Sequence, residues 1–301
     1  MNTENISKPR VALVTCRELP DLSHDARLVV APLADREVEA VPAIWDDETV
    51  DWDSFDLAVI RSCWDYVPRL DEFIRWAHSV PRLANPADVI EWNTNKKYLI
   101  DLENAGVGIV PTTWLKPGDD WQAGHIGKCV VKPAVSMSSL DTGSYRLDDT
   151  GERDLAMHHV QRLLDDGREV MIQPYMSAID SEGETSLVFL GGAYSHATKK
   201  HAILTGPETG SDHRLDEVSG LEPKDEATPE QLTVAEKALE NVPGGPERLL
   251  YARVDMVSTA DGIPVLMELE LTEPQLFLAF NDFSAGVFAD AIVERAGLLT
   301  G

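Results

Sequence analysis

The feature that most constrains the fold is the dipeptide Asp261-Gly262, set between the alternating runs YARVDMVS and PVLMELEL. Asp-Gly in such a setting is a strong signal for a two-residue hairpin turn. Counting outward from that turn gives a register in which Asp255 faces Glu268 and Arg253 faces Glu270. Side chains alternate across a strand, so these four share one face while Met267, Leu269 and Leu271 take the other. Such a face is either solvated, with Arg253 and Glu270 as a weak surface pair, or it surrounds a cation that relieves the repulsion among the acids. Oxygen ligands without His or Cys suit a hard ion, Mg²⁺ or Mn²⁺, with Asp255, Glu268 and Glu270 as its ligands.

The chain has 301 residues, enough for more than one lobe. Its formal net charge of -26 argues against a nucleic-acid partner, which needs a basic footprint. It also means that basic residues for any anionic ligand must be gathered locally. No apolar run reaches the roughly 18 residues of a membrane span, and the start MNTENISKPRVALVTC lacks the apolar segment of a signal peptide. A cytoplasmic protein without a membrane partner is expected, and a homo-oligomer is compatible with the sequence. Cys16, Cys63 and Cys129 form no CxxC pair and sit in or beside apolar runs, so they read as buried thiols.

The first ninety or so residues alternate strands (RVALVTC, VEAVPAIW, FDLAVIRSC) with helices (SHDARLVVAPLADR, capped by Ser23, and RLDEFIRWAHSV). That order predicts a parallel α/β layer over residues 1–92. A second unit, 93–170, opens with a helix stopped at Gly106 and continues through strand-like GIVPTTWL and KCVVKPAV to a helix closed by Gly167. A third, 171–301, carries the strands EVMIQPYM and SLVFLGGAYSHATKK, the hairpin and a last helix. Between about 205 and 228 the chain is polar and reads as a surface loop.

Positive charge recurs at a few positions. Lys132 ends an apolar strand ahead of a loop containing Ser136, Ser138, Ser139, Thr142 and Gly143. Backbone N–H groups of such a loop would cover a phosphate while the lysine meets it as a point charge. Neither a P-loop nor a dinucleotide fingerprint is present. Lys96 and Lys97 open a helix against its dipole, which an anionic ligand would explain. Gln173, Pro174, Tyr175 and Met176 end a strand and would offer backbone groups to a purine, and Glu184 would suit a ribose. Lys199, Lys200 and Arg214 add charge around the polar stretch. Each motif alone has a plain alternative: a snorkelling lysine, a solvated helix start, an ordinary strand end.

Taken in order, the motifs resemble the ATP-grasp superfamily over about residues 93–278, with the α/β layer matching the usual N-terminal domain. NKKYLIDLENAGVGIVPT resembles the first lysine and helix, with Lys96 the better match and Lys97 the spare. VVKP is similar to the second-lysine motif, at Lys132; QPYM to the adenine hinge; GETS to the ribose position, at Glu184; and SHATKK to the phosphate-contacting strand, where alternation favours Lys200 over Lys199. RVDMV and MELELTEP resemble the metal hairpin, with Glu-x-Glu where many members have Glu-x-Asn. The resemblance implies an α/β fold with α+β lobes, and ATP with Mg²⁺. It also implies ATP contacts from Lys96, Lys132, Ser138, the hinge, Glu184, Lys199 and Lys200.

The resemblance further implies that a carboxylate is phosphorylated by ATP and attacked by an amine. Lys200 would neutralise the transferring phosphoryl group, and Arg253 would hold the carboxylate and then the oxyanion. The substrate end is expected where the first layer's strands end, at VIRSCWDYVP. There Arg61 would pair with a carboxylate and Asp65 with an amine, among Ser62, Trp64 and Tyr66, with Arg214 reaching in from the polar stretch. The RS-x-WDY stretch, with WDD at residues 45–47, is similar to the ATP-grasp branch that includes the O-ureido-D-serine cyclo-ligase of D-cycloserine biosynthesis. The alternatives are an intermolecular carboxylate–amine ligase, a non-catalytic nucleotide sensor and a Ca²⁺-binding structural module.

Overall fold

The apolar run Arg10–Thr15 forms the central strand β1 of a four-stranded parallel sheet. In this computed structural model the described residues are 8–137, 139–201, 206–208, 221–224 and 226–298. Edge strand β2 (Glu39–Ile44) pairs with β1 and tolerates Pro42, because an edge needs only one side's hydrogen bonds. On the other side lie β3 (Leu57–Ser62) and the short β4 (Leu83–Ala84). Ser23 caps the first helix as expected, accepting from the Ala26 N–H. That helix is interrupted: α1 (His24–Arg27) stops and α2 (Val30–Asp35) restarts. Pro32 has no N–H to offer the Leu28 carbonyl, which accounts for the break. α3 (Leu70–Ser79) covers one face of the sheet through Phe73, Trp76 and Ala77.

The segment read as one helix from Asn93 is two, α4 (Ala87–Thr94) and α5 (Tyr98–Asn104), and Lys96 lies in the turn between them. A four-stranded sheet follows in the order β5-β8-β6-β7: β5 (Thr113–Leu115), β6 (Lys128–Pro133), β7 (Gly143–Arg146) and β8 (Val170–Pro174). It packs on α6 (Thr150–Asp165). Because β8 pairs with both β5 and β6, this small sheet runs to Pro174, past the expected boundary at residue 170.

The large sheet has the order β11-β10-β9-β12-β13. After the short α7 (Ala178–Glu182), β9 (Glu184–Leu190) turns through Gly191 and Gly192 into β10 (Ala193–Lys200). Both glycines have positive φ, which a tight hairpin turn of this twist needs. The stretch expected as a loop contains β11 (Leu221–Lys224), an edge strand paired to β10. A capping box from Thr228 and Gln231 starts α8 (Pro229–Glu240). β12 (Tyr251–Ser258) and β13 (Pro264–Glu270) form the hairpin, and α9 (Ser284–Arg295) packs Phe288 and Ile292 under the first sheet's helices.

The outer edge of β13 is covered rather than left open. Tyr98 Oη accepts from the Leu269 N–H at 2.8 Å. The Asn93 side chain donates to the Leu269 carbonyl and accepts from the Leu271 N–H, both at 2.8 Å. Asn85 Nδ2 reaches the Leu271 and Tyr251 carbonyls. Three polar side chains from the preceding segments thus do what a neighbouring strand would do. Among the described residues, no helix is long and apolar enough to cross a membrane. The three cysteines are buried and unpaired.

Candidate active site

The hairpin pairs Asp255 with Glu268 and Arg253 with Glu270, so the four share a face. The pairing continues into the sheet. Asp255 pairs with Ser186, and Ser186 with Thr198; two residues on, Glu184 pairs with Lys200. One face therefore presents Lys200 and Glu184, then Thr198, Ser186, Asp255 and Glu268, then Arg253 and Glu270. Ser186 and Thr198 were not expected from sequence. Their positions two residues from Glu184 and Lys200 carry the signal, once strand pairing is known.

Arg253 is buried and forks onto its neighbours. Its Nε lies 2.9 Å from Asp255 Oδ1 and its Nη2 2.9 Å from Asp255 Oδ2; Nη2 also contacts Glu270, and Nη1 donates to the Gln275 carbonyl at 3.0 Å. The face of Phe277 lies beneath the guanidinium. Asp255 and Glu270 hold Arg253 protonated, its pKa raised although burial opposes this. Lys96 Nζ lies 3.1 Å from Glu268 Oε1 and donates to the Ser136 carbonyl at 2.6 Å. Lys132 Nζ approaches the other Glu268 oxygen at 3.8 Å. Burial pulls the Lys132 ammonium down, with Glu268 opposing. Withdrawal from water raises the Glu268 carboxyl, but Lys96 and Lys132 outweigh it and hold the group low. At Glu270, withdrawal from water wins and the carboxyl is raised despite Arg253. Glu184 is likewise raised by burial and raises its partner Lys200.

These residues fit a hard divalent ion and a polyphosphate. The acids offer only oxygen, and three lysines and an arginine surround them. The buried hydroxyls of Ser186 and Thr198 find no hydrogen-bond partner among the described residues, which leaves polar atoms on this face for a ligand. Asp255, Glu268 and Glu270 would hold Mg²⁺.

The remaining expected site residues divide. Lys97 turns to Glu169, away from the patch. Lys199 points to the opposite face from Lys200 and lies along Gly183. In the hinge segment, Gln173 is buried with its amide on Thr112 and Pro174 is exposed. The Tyr175 N–H donates to the Lys128 carbonyl, while Met176 packs near Val110, Val257 and Val265. Ser138 and Arg214 lie outside the described residues.

Two residues expected at the substrate end, Arg61 and Asp65, are engaged by protein groups. Arg61 is fully buried. Its Nη2 meets Asp25 and the Pro274 carbonyl, and the rings of Tyr251 and Phe288 flank it. Through the Pro274 carbonyl it ties the first unit to the chain beyond β13. Asp65 already accepts from Trp45 Nε1 at 2.8 Å and from Arg69 at 2.7 Å. Ser62 pairs with Ser23. Trp64 and Tyr66 do reach the far side of the hairpin, through Glu273. Trp64 Nε1 donates to its carbonyl at 3.1 Å, and the Tyr66 hydroxyl lies near its carboxylate and favours the charged form. Burial pushes the Glu273 carboxyl up to about 7, against the lowering effect of the nearby Tyr66 hydroxyl. Glu273 lies three residues past Glu270, where strand alternation no longer predicts direction.

Comparisons with known proteins agree with this architecture. A family model described as the N-terminal domain of D-cycloserine synthetase DcsG matches residues 11–85. The cycloserine biosynthesis protein DcsG of Streptomyces lavendulae is 37% identical over 266 residues, 83% of this chain and 87% of that protein. The crystal structure of D-cycloserine synthetase DcsG is similar with a TM-score of 0.84 at 32% identity, covering 95% of this chain and 99% of that one. D-alanine–D-alanine ligase of Bacillus anthracis, complexed with ATP, shares the fold at 16% identity, with a TM-score of 0.62 over 96% of this chain and 97% of that one. With identity at this level over most of its length, the chain belongs to the DcsG family of ATP-grasp carbon–nitrogen ligases.

Proposed function

We propose that the protein closes the ring of D-cycloserine from O-ureido-D-serine, using ATP. The observation that carries this reading is the convergence of Arg253, Lys96, Lys132 and Lys200 on the row of acids that would hold Mg²⁺. The relatives named for cycloserine biosynthesis support the choice of substrate. In this reading ATP transfers its γ-phosphoryl group to the substrate carboxylate, and ADP leaves. Water removes the ureido carbamoyl group as CO₂ and ammonia. The freed aminooxy nitrogen attacks the acyl carbon, phosphate departs and the isoxazolidinone ring closes.

Bound Mg²⁺ would supply charge neutralisation for the transferring phosphoryl group. The chain's own residues do the rest. Lys96, Lys132 and Lys200 offset the negative charge of the phosphates, with Glu184 placed for the ribose. Arg253, pinned by Asp255, Glu270 and the Gln275 carbonyl, is preorganised to hold a carboxylate and then the developing oxyanion. A cytoplasmic site of action, where ATP is supplied, belongs to the same reading.

The test is ADP release from the purified protein with Mg-ATP and O-ureido-D-serine as sole added substrate, with the product identified by mass spectrometry. D-cycloserine formed together with ADP supports the reading. ADP released only when a second amine is added points to an intermolecular ligase. Tight ATP binding without turnover on any carboxylate points to a sensor.

A further inference from the structure

Glu273 sits on the short connection after β13, where the first unit meets the acid patch. Its backbone carbonyl is held by Trp64, and the Tyr66 hydroxyl lies near its carboxylate. Tyr66 is itself fixed by stacking on Phe73, with ring centroids 4.6 Å apart. One oxygen, Oε2, is buried and has no hydrogen-bond partner among the described residues. A withdrawn carboxylate oxygen without a donor is costly, so this group has a use for an N–H from elsewhere.

The neighbouring cations make no hydrogen bond or ion pair with Glu273 among the described residues. Lys96 is engaged by Glu268 and the Ser136 carbonyl. Arg253 is engaged by Asp255, Glu270 and the Gln275 carbonyl. A small ligand with an ammonium group would supply the missing donor. Gln275, whose carbonyl fixes Arg253, follows Glu273 by two residues, so the carboxylate-binding guanidinium and this free oxygen belong to one connection. An α-amino acid carries its carboxylate and ammonium on the same carbon, so both charges could meet groups tied to this one short connection.

We propose that Glu273, braced by Tyr66 and Trp64, receives the ammonium group of the amino-acid substrate and selects α-amino carboxylates over plain carboxylates. This rests on the ligase reading above and names the residue that recognises the second charged group of that substrate. Arg253 and Glu273 together then orient the substrate with its carboxylate toward the phosphates.

The experiment compares O-ureido-D-serine with its desamino analogue, 3-(ureidooxy)propanoate, by ADP release with Mg-ATP. The wild type favours the amino compound in kcat/KM. Glu273→Gln lowers that preference by roughly 10- to 100-fold, the range for losing a charge-assisted hydrogen bond, while KM for ATP stays unchanged. Glu273→Asp restores part of the preference. Tyr66→Phe weakens it too, and serves as the reading should Glu273→Gln melt early. A preference that survives both substitutions overturns this proposal alone, as does an equal loss on the two compounds. A wild type that releases ADP with neither compound overturns the ligase reading, and this proposal with it.

Discussion

Lys96 Nζ stands 3.1 Å from Glu268 Oε1. The same ammonium donates to the Ser136 carbonyl, so one lysine joins the hairpin of the large sheet to the loop after β6. Lys132 approaches the second oxygen of the same carboxylate. Glu268→Gln keeps the shape of the side chain and removes the charge these lysines share. Turnover is expected to fall at least about 100-fold in Glu268→Gln and in Lys132→Ala, by loss of preorganised charge. Circular dichroism should show both variants folded. A variant that keeps most of its activity removes that residue from the site.

Arg253 makes a two-nitrogen fork on Asp255 and a third contact through Nη1 to the Gln275 carbonyl. A lysine has the charge but not the fork. Arg253→Lys should lower kcat by roughly 100-fold while ATP affinity, measured by calorimetry with a non-hydrolysable analogue, changes little. Wild-type turnover in Arg253→Lys would show that charge alone suffices there.

The raised carboxyl of Glu273 has a consequence for stability. Its folded-state pKa, about 7, lies above the ordinary 4.5. The folded protein therefore binds this proton more tightly than the unfolded chain does. Stability from this group is present below about pH 4.5 and is lost as pH rises to about 7. Glu270 is shifted in the same direction. Without divalent ion or nucleotide, the melting temperature should decline over that window, and Glu273→Gln should flatten the decline. Mg²⁺ with ATP should raise the melting temperature through binding to the folded state. A flat profile in wild-type protein would contradict the assignment.

Asn93 both donates to Leu269 and accepts from Leu271. Asn93→Ala leaves a buried N–H and a buried carbonyl without partners. The expected loss is about 2–5 kcal/mol from the two orphaned groups, read as a lower denaturant midpoint at unchanged m-value. Asn93→Asp keeps the acceptor and loses the donor, so its cost should be of similar sign. A loss under about 0.5 kcal/mol would mean that water replaces both bonds.

The hairpin shows how far local rules reach. The counted register agrees with the observed one at Asp255 and Glu268, yet two deviations lie between. Ser258 pairs with Pro264, and the Thr259 N–H bonds to the Ile263 carbonyl, so the turn is longer than two residues. Gly262, at φ 76, closes it. A register shift between Asp255 and Met256 then leaves Met267 as an extra residue on β13 and restores the count. Period-two alternation also separated Lys200 from Lys199 on β10. It could not see Arg61, because burial of an arginine depends on Asp25, Tyr251 and Phe288, all remote in sequence. It could not reach Glu273, since β13 ends at Glu270.

Asp25 has a use beyond its ion pair with Arg61. Its two oxygens accept the N–H groups of Leu276 and Leu278, on either side of Phe277, whose φ of 53 is left-handed. The loop that carries Glu273 and Gln275 is thus shaped by a helix near the start of the chain, and Asn85 fixes the strand ends beside it. Chimeras that graft a different N-terminal layer onto this ligase would inherit a misshapen loop even if both halves folded. The shape of the loop after β13 is thus a property of the whole chain, set in part by residues of its first strands and helices.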